Sequence, residues 1–231
     1  MNFFRKVIEK YCLNINRFKT KVSKFDYLKT LNINTVIDIG ANVGQFAIEI
    51  RKILPGAQIY SFEPVKKCFE QLNINMKRDC AFRSFNFALG AEEGEAVINI
   101  STYTPSSSIL PMSNEHKILF PHAQDGKKEV VLIKKLDNVL LDLNLKKEIL
   151  VKVDVQGFEN KVLKGGINTF SIAKAVLIET SFLNLYEGQC SFDELYEMLK
   201  SMGYMYRGAI QQKINKQTGE IICEDSLFVK K

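Results

Sequence analysis

A cluster of glycine and polar residues ends a short apolar stretch near the start of the chain. Asp38 lies within the β-branched run at 35–39, and Gly40, Asn42 and Gly44 follow it. Glycine lets the backbone turn tightly and lets a ligand approach main-chain N–H groups. The amides at the start of a following helix would face that ligand. The spacing therefore predicts a strand-to-helix turn that binds the polar end of a nucleoside cofactor.

One carboxylate, Glu63, stands at the end of the next apolar stretch, 19 residues beyond Gly44. A carboxylate at that point accepts hydrogen bonds from both ribose hydroxyls of a nucleoside cofactor. Dinucleotide sites typically have three closely spaced glycines beside the pyrophosphate, and this turn has two. S-adenosylmethionine (SAM) has an amino and a carboxylate group instead, which suit Asp38 and backbone amides. The turn favours SAM, with a nicotinamide-dependent oxidoreductase as the alternative.

A second cluster, K-V-D-V-Q-G-F-E at 152–159, follows another predicted strand. Asp154 and Glu179 stand near strand ends, as Asp38 and Glu63 do, and open α/β sheets bind ligands there. We therefore predict a functional role for Asp154. Two alternatives are that Asp154 caps the next helix, or that it holds a divalent cation together with a second carboxylate.

The elements that must position these residues alternate between strands and helices. β-branched runs predict strands, and apolar residues at helical spacing predict helices. Strands are predicted at 35–39, 58–62, 82–89, 96–101, 129–133, 149–154, 175–179, 204–210 and 226–229, and helices at 43–54, 65–78, 160–170 and 192–202. This α/β order predicts a mostly parallel sheet with helices on both faces, closed by an antiparallel hairpin at one edge.

The segment at 91–135 interrupts this alternation. Residues 102–128 are predicted as a long loop that contains both histidines, His116 and His122. Loops of this length inside a compact domain are usually functional or disordered. The segment is interpreted as a cap over the site, with a disordered surface loop as the alternative.

Taken in order along the chain, these motifs resemble the FkbM-type methyltransferases. The resemblance runs from about residue 35 to 180. It departs from the family at Gln156, where glutamate is commoner, and this change could alter contacts with the acceptor. The motifs are V-I-D-I-G-A-N-V-G-Q-F at 36–46, F-E-P at 62–64, A-L-G at 88–90, L-D at 136–137, K-V-D-V-Q-G-F-E at 152–159 and V-L-K-G at 162–165.

The resemblance implies a Rossmann-like class I SAM methyltransferase fold with seven strands, and methyl transfer to oxygen, often of sugar or polyketide hydroxyls. A sugar-like hydroxyl needs a base, for which Asp154 and His116 are the candidates. A SAM-binding scaffold without transfer activity is the rival that is not an enzyme. Turn chemistry and resemblance together predict cofactor contacts at Asp38, Gly40, Ala41, Asn42, Gly44, Gln45, Phe46, Glu63, Pro64, Asn86, Ala88 and Asp154.

The 231 residues are expected to form one domain at 35–231 behind a basic helical segment at 1–34. The basic excess at 1–30 fits either packing on the domain or weak contact with an anionic membrane. A net charge of +6 is too small to favour a nucleic-acid partner, so a small-molecule or glycan hydroxyl is the expected acceptor. Five scattered cysteines, with no signal peptide or membrane-spanning run, indicate a cytoplasmic protein. The oligomeric state and any metal requirement are left open.

Overall fold

A computed structural model describes residues 23–143 and 145–231. Its strands build one large sheet and one small sheet. The strands of the described residues are β1 (Thr35–Ile39), β2 (Gln58–Phe62), β3 (Phe82–Phe85), β4 (Ala88–Leu89), β5 (Gly94–Ser101), β6 (Asp125–Lys134), β7 (Ile149–Val153), β8 (Ala175–Ser181), β9 (Tyr204–Ile214) and β10 (Ile221–Lys230).

The large sheet has seven strands in the order β3-β2-β1-β7-β8-β10-β9. The first five run parallel, and β10 is antiparallel to both of its neighbours. The central strands β1 and β7 are buried along their whole length, as near-continuous apolar strands of a parallel sheet are. The arrangement confirms the predicted class I SAM methyltransferase fold with its antiparallel edge hairpin.

Helices cover both faces of the large sheet. Neighbouring residues of a strand therefore pack in two different cores, one on each face. Ile37 packs in a core with Phe170 and Phe228, whereas its neighbour Val36 packs with Ile50, because side chains alternate across a strand. The helices of the described residues are α1 (Asp26–Lys29), α2 (Gln45–Ile53), α3 (Lys66–Met76), α4 (Asn114–Leu119), α5 (Leu136–Leu140), α6 (Glu159–Gly165), α7 (Ile167–Ile172) and α8 (Phe192–Ser201).

The interrupting segment and the preceding β4 form the small sheet, in which β6 pairs parallel with β4 and antiparallel with β5. The prediction of a loop over 102–128 is wrong in part. That stretch contains a short 3-10 helix (Thr104–Ser106), α4 and the start of β6. Helix α4 is only six residues long and begins where the Ser113 hydroxyl accepts the N–H of His116, a capping contact that stabilises a helix start.

Two further predicted elements are divided. The strand predicted at 82–89 ends at Phe85, and Ala88–Leu89 form β4 in the small sheet. Between the two strands, the Asn86 side chain donates to the carbonyls of Glu63 and Pro64. The helix predicted at 160–170 is interrupted at Gly166, between α6 and α7. Helix α5 was not predicted, since its five residues are too few to show a period.

Residues 23–34 pack on the domain instead of standing apart from it. Phe25, Leu28 and Ile33 are buried in the same core as Ile50. Residues 1–22, which hold most of the predicted basic segment, lie outside the described residues, so its contact with a membrane stays a prediction. In the part of the chain that the structure describes, no helix has the length and apolarity needed to span a membrane.

Candidate active site

A cavity of about 360 Å³ opens at the carboxyl ends of β1, β2, β7 and β8. Parallel α/β sheets bind ligands at this edge because the loops after the strands converge there. One part of the wall comes from the turn after β1 and another from the hairpin of β9 and β10. The interrupting segment supplies a third part, through Tyr103, Thr104 and Pro105.

The turn after β1 approaches the turn after β7 so closely that a side chain would not fit between them. Gly40 has a φ of +79°, and a Cβ built on it would lie 1.9 Å from the Asp154 carbonyl oxygen. At Gly44, a Cβ would instead lie 2.7 Å from the Leu72 side chain of α3. Gly40 therefore brings the two predicted clusters together, whereas Gly44 lets α2 pack against α3.

Glu63 is the first residue after β2 and is only 5% exposed. Its carboxylate accepts the N–H of Asn42 at 2.7 Å and the N–H of Val65 at 2.8 Å. Burial raises the pKa of Glu63 to about 7, and these two hydrogen bonds oppose the rise. A carboxylate has about four acceptor positions, so Glu63 can still accept two ligand hydroxyls.

These surroundings fit the predicted SAM. The Asn42 side-chain nitrogen is buried and has no hydrogen-bond partner among the described residues. An unpaired buried donor costs free energy, and an acceptor atom of a bound cofactor would remove that cost. The neighbouring wall is apolar, as an adenine ring requires, and consists of Phe62, Phe87, Ala88, Leu89 and Ile98.

Lys152 lies behind the junction of the two turns and joins their charges. Its Nζ lies 3.7 Å from Asp38 and 3.2 Å from Asp154, and it donates to the Gly40 carbonyl at 3.2 Å. Burial disfavours the ammonium form, but Asp154 and Asp38 together raise the pKa of Lys152 above its ordinary value. Lys152 therefore stays charged and lies between Asp38, which is buried beneath the turn, and Asp154, which lines the cavity.

Asp38 is completely buried and does not line the cavity. Burial raises its pKa, while Lys152 and the Ser61 hydroxyl, which donates to Asp38 at 3.0 Å, oppose the rise. The structure thus places Asp38 beneath the turn, where it contacts Lys152 and not the space that a cofactor would occupy. The position of Asp38 therefore does not support the predicted direct contact between its carboxylate and the SAM amino group.

Asp154 lines the cavity and is joined to Glu179 through one amide. Gln156 donates to Asp154 at 2.6 Å and also to Glu179, and its own oxygen accepts the Tyr186 hydroxyl at 2.7 Å. Burial raises the pKa of Asp154, but the charges of Lys152 and Lys213, together with the hydrogen bonds from Gln156 and Lys152, outweigh burial, so that the pKa lies below the ordinary value. Gln156 holds two carboxylates, a task for which a glutamate lacks the donor hydrogens.

The structure does not bring His116 to the cavity. Its side chain is buried between Phe120 and Tyr186, with ring centroids 5.1 Å from each, and its Nε2 lies 3.4 Å from the Tyr186 hydroxyl. Burial, followed by the charge of Lys213, lowers the pKa of His116 to about 4. The prediction that His116 removes the acceptor proton therefore lacks the contact that proton transfer needs.

The remaining predicted residues divide into those at the surface of the cavity and those behind it. Asn86, like Asp38, Gly44 and His116, is not part of the wall; it holds the backbone beside Glu63. The predicted residues that line the cavity are Gly40, Ala41, Asn42, Gln45, Phe46, Glu63, Pro64, Ala88 and Asp154.

Sequence reasoning missed the contribution of the edge hairpin. Gln211 and Lys213 of β9 and Asp225 of β10 line the cavity, and Lys213 forms an ion pair with Glu179 at 2.7 Å. A signal was present, because charged residues interrupt the apolar run of β10 (I-I-C-E-D-S-L-F). Unpaired charges are rare inside strands that pack on a core.

Comparison with known proteins relates this chain to methyltransferases. The family model described as "Methyltransferase FkbM domain" matches residues 38–206. Methyltransferase sdnD of Sordaria araneosa is 27% identical over an alignment of 169 residues, and the match covers 63% of this chain and 65% of that protein. The 2-O-methyltransferase NoeI of Sinorhizobium fredii is 27% identical over an alignment of 173 residues, and the match covers 72% of this chain and 71% of that protein.

A third relative, Methyltransferase 1 of Beauveria bassiana, is 26% identical over 181 residues and matches 73% of this chain and 71% of its own. The chain thus spans 65% to 71% of the length of these three relatives. The family match begins in β1 and ends in β9, so it includes both turns, the interrupting segment and most of the cavity wall.

Proposed function

Because the chain belongs to the FkbM methyltransferase family, we propose that it transfers the methyl group of SAM to a hydroxyl of a sugar, glycan or natural-product acceptor. The matched domain is a SAM-dependent methyltransferase domain. The observation that carries the proposal is a single cavity in which Glu63 and Asp154 stand at the ends of two strands, β2 and β7. SAM, when bound, supplies a methyl group on a positively charged sulfur.

In this proposal the turn after β1 and the end of β2 hold the cofactor. Glu63 accepts the ribose hydroxyls with the acceptor positions that Asn42 and Val65 leave free. The Asn42 amide donates to a polar atom of the cofactor, and Phe87 with Leu89 contacts the adenine. Lys152 keeps the two turns together through its contacts with Asp154 and the Gly40 carbonyl.

The acceptor binds beside Asp154. Its ionised carboxylate, held by Lys152 and Gln156, accepts a hydrogen bond from the acceptor hydroxyl and orients that oxygen. Positioning alone supplies roughly 7–11 kcal/mol in favourable cases. Tyr103 and Thr104 of the interrupting segment form part of the cavity wall and act as a cap. Transfer to oxygen is supported by the relative named as a 2-O-methyltransferase.

A divalent cation bound by Asp154 is the alternative to this orienting role. Lys152 already lies 3.2 Å from Asp154 and compensates its charge. Among residues 23–143 and 145–231, no group of three or more His, Cys, Asp or Glu side chains could hold a metal ion. We therefore propose transfer without a metal, and loss of activity in EDTA that Mg²⁺ restores would support the cation instead.

The proposal is tested first by calorimetric titration with SAM, S-adenosylhomocysteine and NADH. We expect micromolar binding of the first two and none of NADH. Glu63→Ala should abolish that binding, because the carboxylate that accepts the ribose hydroxyls is lost. Glu70→Gln, a change at an exposed carboxylate of α3, is the control and should bind as the natural protein does.

The second test is transfer of a labelled methyl group to a panel of methyl glycosides. Label in any glycoside, located by NMR on a hydroxyl oxygen, supports O-methylation. Binding of NADH in place of SAM would support the nicotinamide-dependent oxidoreductase. SAM binding without transfer to any member of the panel or to polyketide hydroxyls would support the scaffold without activity.

A further inference from the structure

A row of polar side chains crosses three neighbouring strands on the acceptor side of the cavity. Asp225 of β10 lies directly opposite Glu179 of β8 and Gln211 of β9 in the strand register. Directly opposite residues of antiparallel strands point to the same face of the sheet. All three residues line the cavity, so the row faces the acceptor.

The other carboxylates of the cavity already have partners in the protein. Asp154 is held by Lys152 and Gln156, and Glu179 by Lys213 and the same Gln156 amide. Because one amide reaches both Asp154 and Glu179, those carboxylates are close together. Asp225, which faces the same side as Glu179, therefore lies within the same cluster.

The Asp225 side chain differs from these carboxylates. It forms no hydrogen bond or ion pair with any residue in the part of the chain that the structure describes. It is half-buried, so it is neither completely hydrated nor neutralised by a neighbour. A carboxylate in this situation is a strong acceptor for a hydroxyl hydrogen that enters the cavity.

We infer that Asp225 is a catalytic residue that takes the proton of the acceptor hydroxyl during methyl transfer, an inference that rests on the proposed function. In this step the oxygen–carbon bond forms as the sulfur–carbon bond breaks. The electron pair of the broken bond stays on sulfur, which becomes a neutral thioether. The hydroxyl proton moves to an Asp225 oxygen, so charge and atoms balance.

The charges around the cluster separate the tasks of Asp154 and Asp225. Burial, then the charges of Asp154 and Glu179, raise the pKa of Asp225 to about 6, while Lys152 and Lys213 oppose the rise. The same lysines hold the pKa of Asp154 below its ordinary value. Paired carboxyls whose pKa values are driven apart take different roles, and a base works best near the ambient pH.

The inference is tested with Asp225→Asn, which keeps the shape of the side chain and removes its basicity. With the methyl glycoside that accepts most label, kcat should fall about 10²-fold or more, while the Kd for SAM stays unchanged. The natural protein should lose kcat as the pH falls through about 6, because a protonated Asp225 cannot accept a proton. Asp225→Glu should restore part of kcat together with this acidic limb.

Asp142→Asn, a change at an exposed carboxylate outside the cavity wall, is the matched control and should leave kcat and its pH profile unchanged. Normal kcat with an intact acidic limb in Asp225→Asn would overturn the inference. If no acceptor is methylated, that result contradicts the proposed function but does not test the role of Asp225, so a second measurement is needed. Carbon NMR titration of the protein with bound S-adenosylhomocysteine then decides, since an Asp225 that titrates below Asp154 cannot be the base and one that titrates above it supports the inference.

Discussion

Lys152 compensates two carboxylates that come from different strands. Asp38 of β1 is completely buried, and its Oδ1 has no hydrogen-bond partner among the described residues, although Lys152 lies 3.7 Å away. Asp154 follows β7 and faces the cavity. Burying an ammonium with two carboxylates costs desolvation free energy, but removing one partner destabilises the fold much more, because it leaves a buried charge uncompensated. The cluster therefore links the stability of the domain to the shape of its site.

Lys152→Met should lower the free energy of unfolding by about 3–5 kcal/mol at pH 7. The change leaves Asp38 buried without a compensating charge, so the already raised pKa of Asp38 rises further. A raised carboxyl pKa means that the folded state binds the proton more tightly, and stability then falls as the pH rises. The loss should be smaller at pH 4 than at pH 7, as measured by urea denaturation.

Two further variants isolate this effect. Lys161→Met, at an exposed lysine of α6, should change stability by less than about 0.5 kcal/mol. Asp38→Asn combined with Lys152→Met should recover part of the stability lost by Lys152→Met alone, because the uncompensated charge is gone. An equal loss at pH 4 and pH 7, with no recovery in the double variant, would show that Lys152 acts through packing only.

At the scale of secondary structure, α6 lies against the end of β4, and Gly165 permits this contact. A Cβ on Gly165 would lie 1.9 Å from the Gly90 carbonyl oxygen. The oxygen belongs to the backbone and cannot swing aside as a side chain does. The contact joins a helix of the main domain to the start of the interrupting segment, so it helps to set where that segment stands over the cavity.

Gly165→Ala should therefore lower the free energy of unfolding by at least about 1–3 kcal/mol, the usual cost of overpacking. Gly56→Ala is the matched control, because a Cβ there meets no atom within 4 Å. At such a position alanine is neutral or stabilises by about 0.4–1 kcal/mol. Chemical denaturation of both variants makes the comparison, and equal stability would contradict the proposed contact.

The elements that could be predicted from sequence are those whose periodicity is long enough to read. Strands β1, β2 and β7 were predicted within one residue of their bounds, since each is a short run rich in apolar residues that is followed by a glycine or a carboxylate. The short helices α4 and α5 were not, because single caps and tertiary contacts hold them. The same holds for the site residues. Glu63 and Asp154 could be predicted because they follow predicted strands, whereas Asp225 could not, because its place in the cavity wall depends on how β10 pairs with β8.

At the scale of the whole molecule, the positive charge is very unevenly distributed. Residues 1–22 contain six Lys or Arg and one Glu, so they contribute +5 of the net +6. The described domain is therefore nearly neutral overall. We therefore expect attraction to an anionic surface to depend on residues 1–22, since juxtamembrane basic residues contribute about 1 kcal/mol each.

We expect the 231-residue chain to sediment with vesicles that contain phosphatidylserine at low salt, and not with vesicles of phosphatidylcholine alone. Binding should weaken as salt is added, because screening shortens the reach of surface charge. Replacing Arg5, Lys6, Lys10, Arg17, Lys19 and Lys21 by Gln should remove it.

The matched control makes the same change in charge on the domain and should retain binding. It has Gln at the exposed positions Lys66, Lys67, Lys77, Arg78, Lys127 and Lys128. Equal loss in both variants would mean that net charge alone governs the attraction, and absence of binding by the natural chain would favour packing of the segment on its own domain.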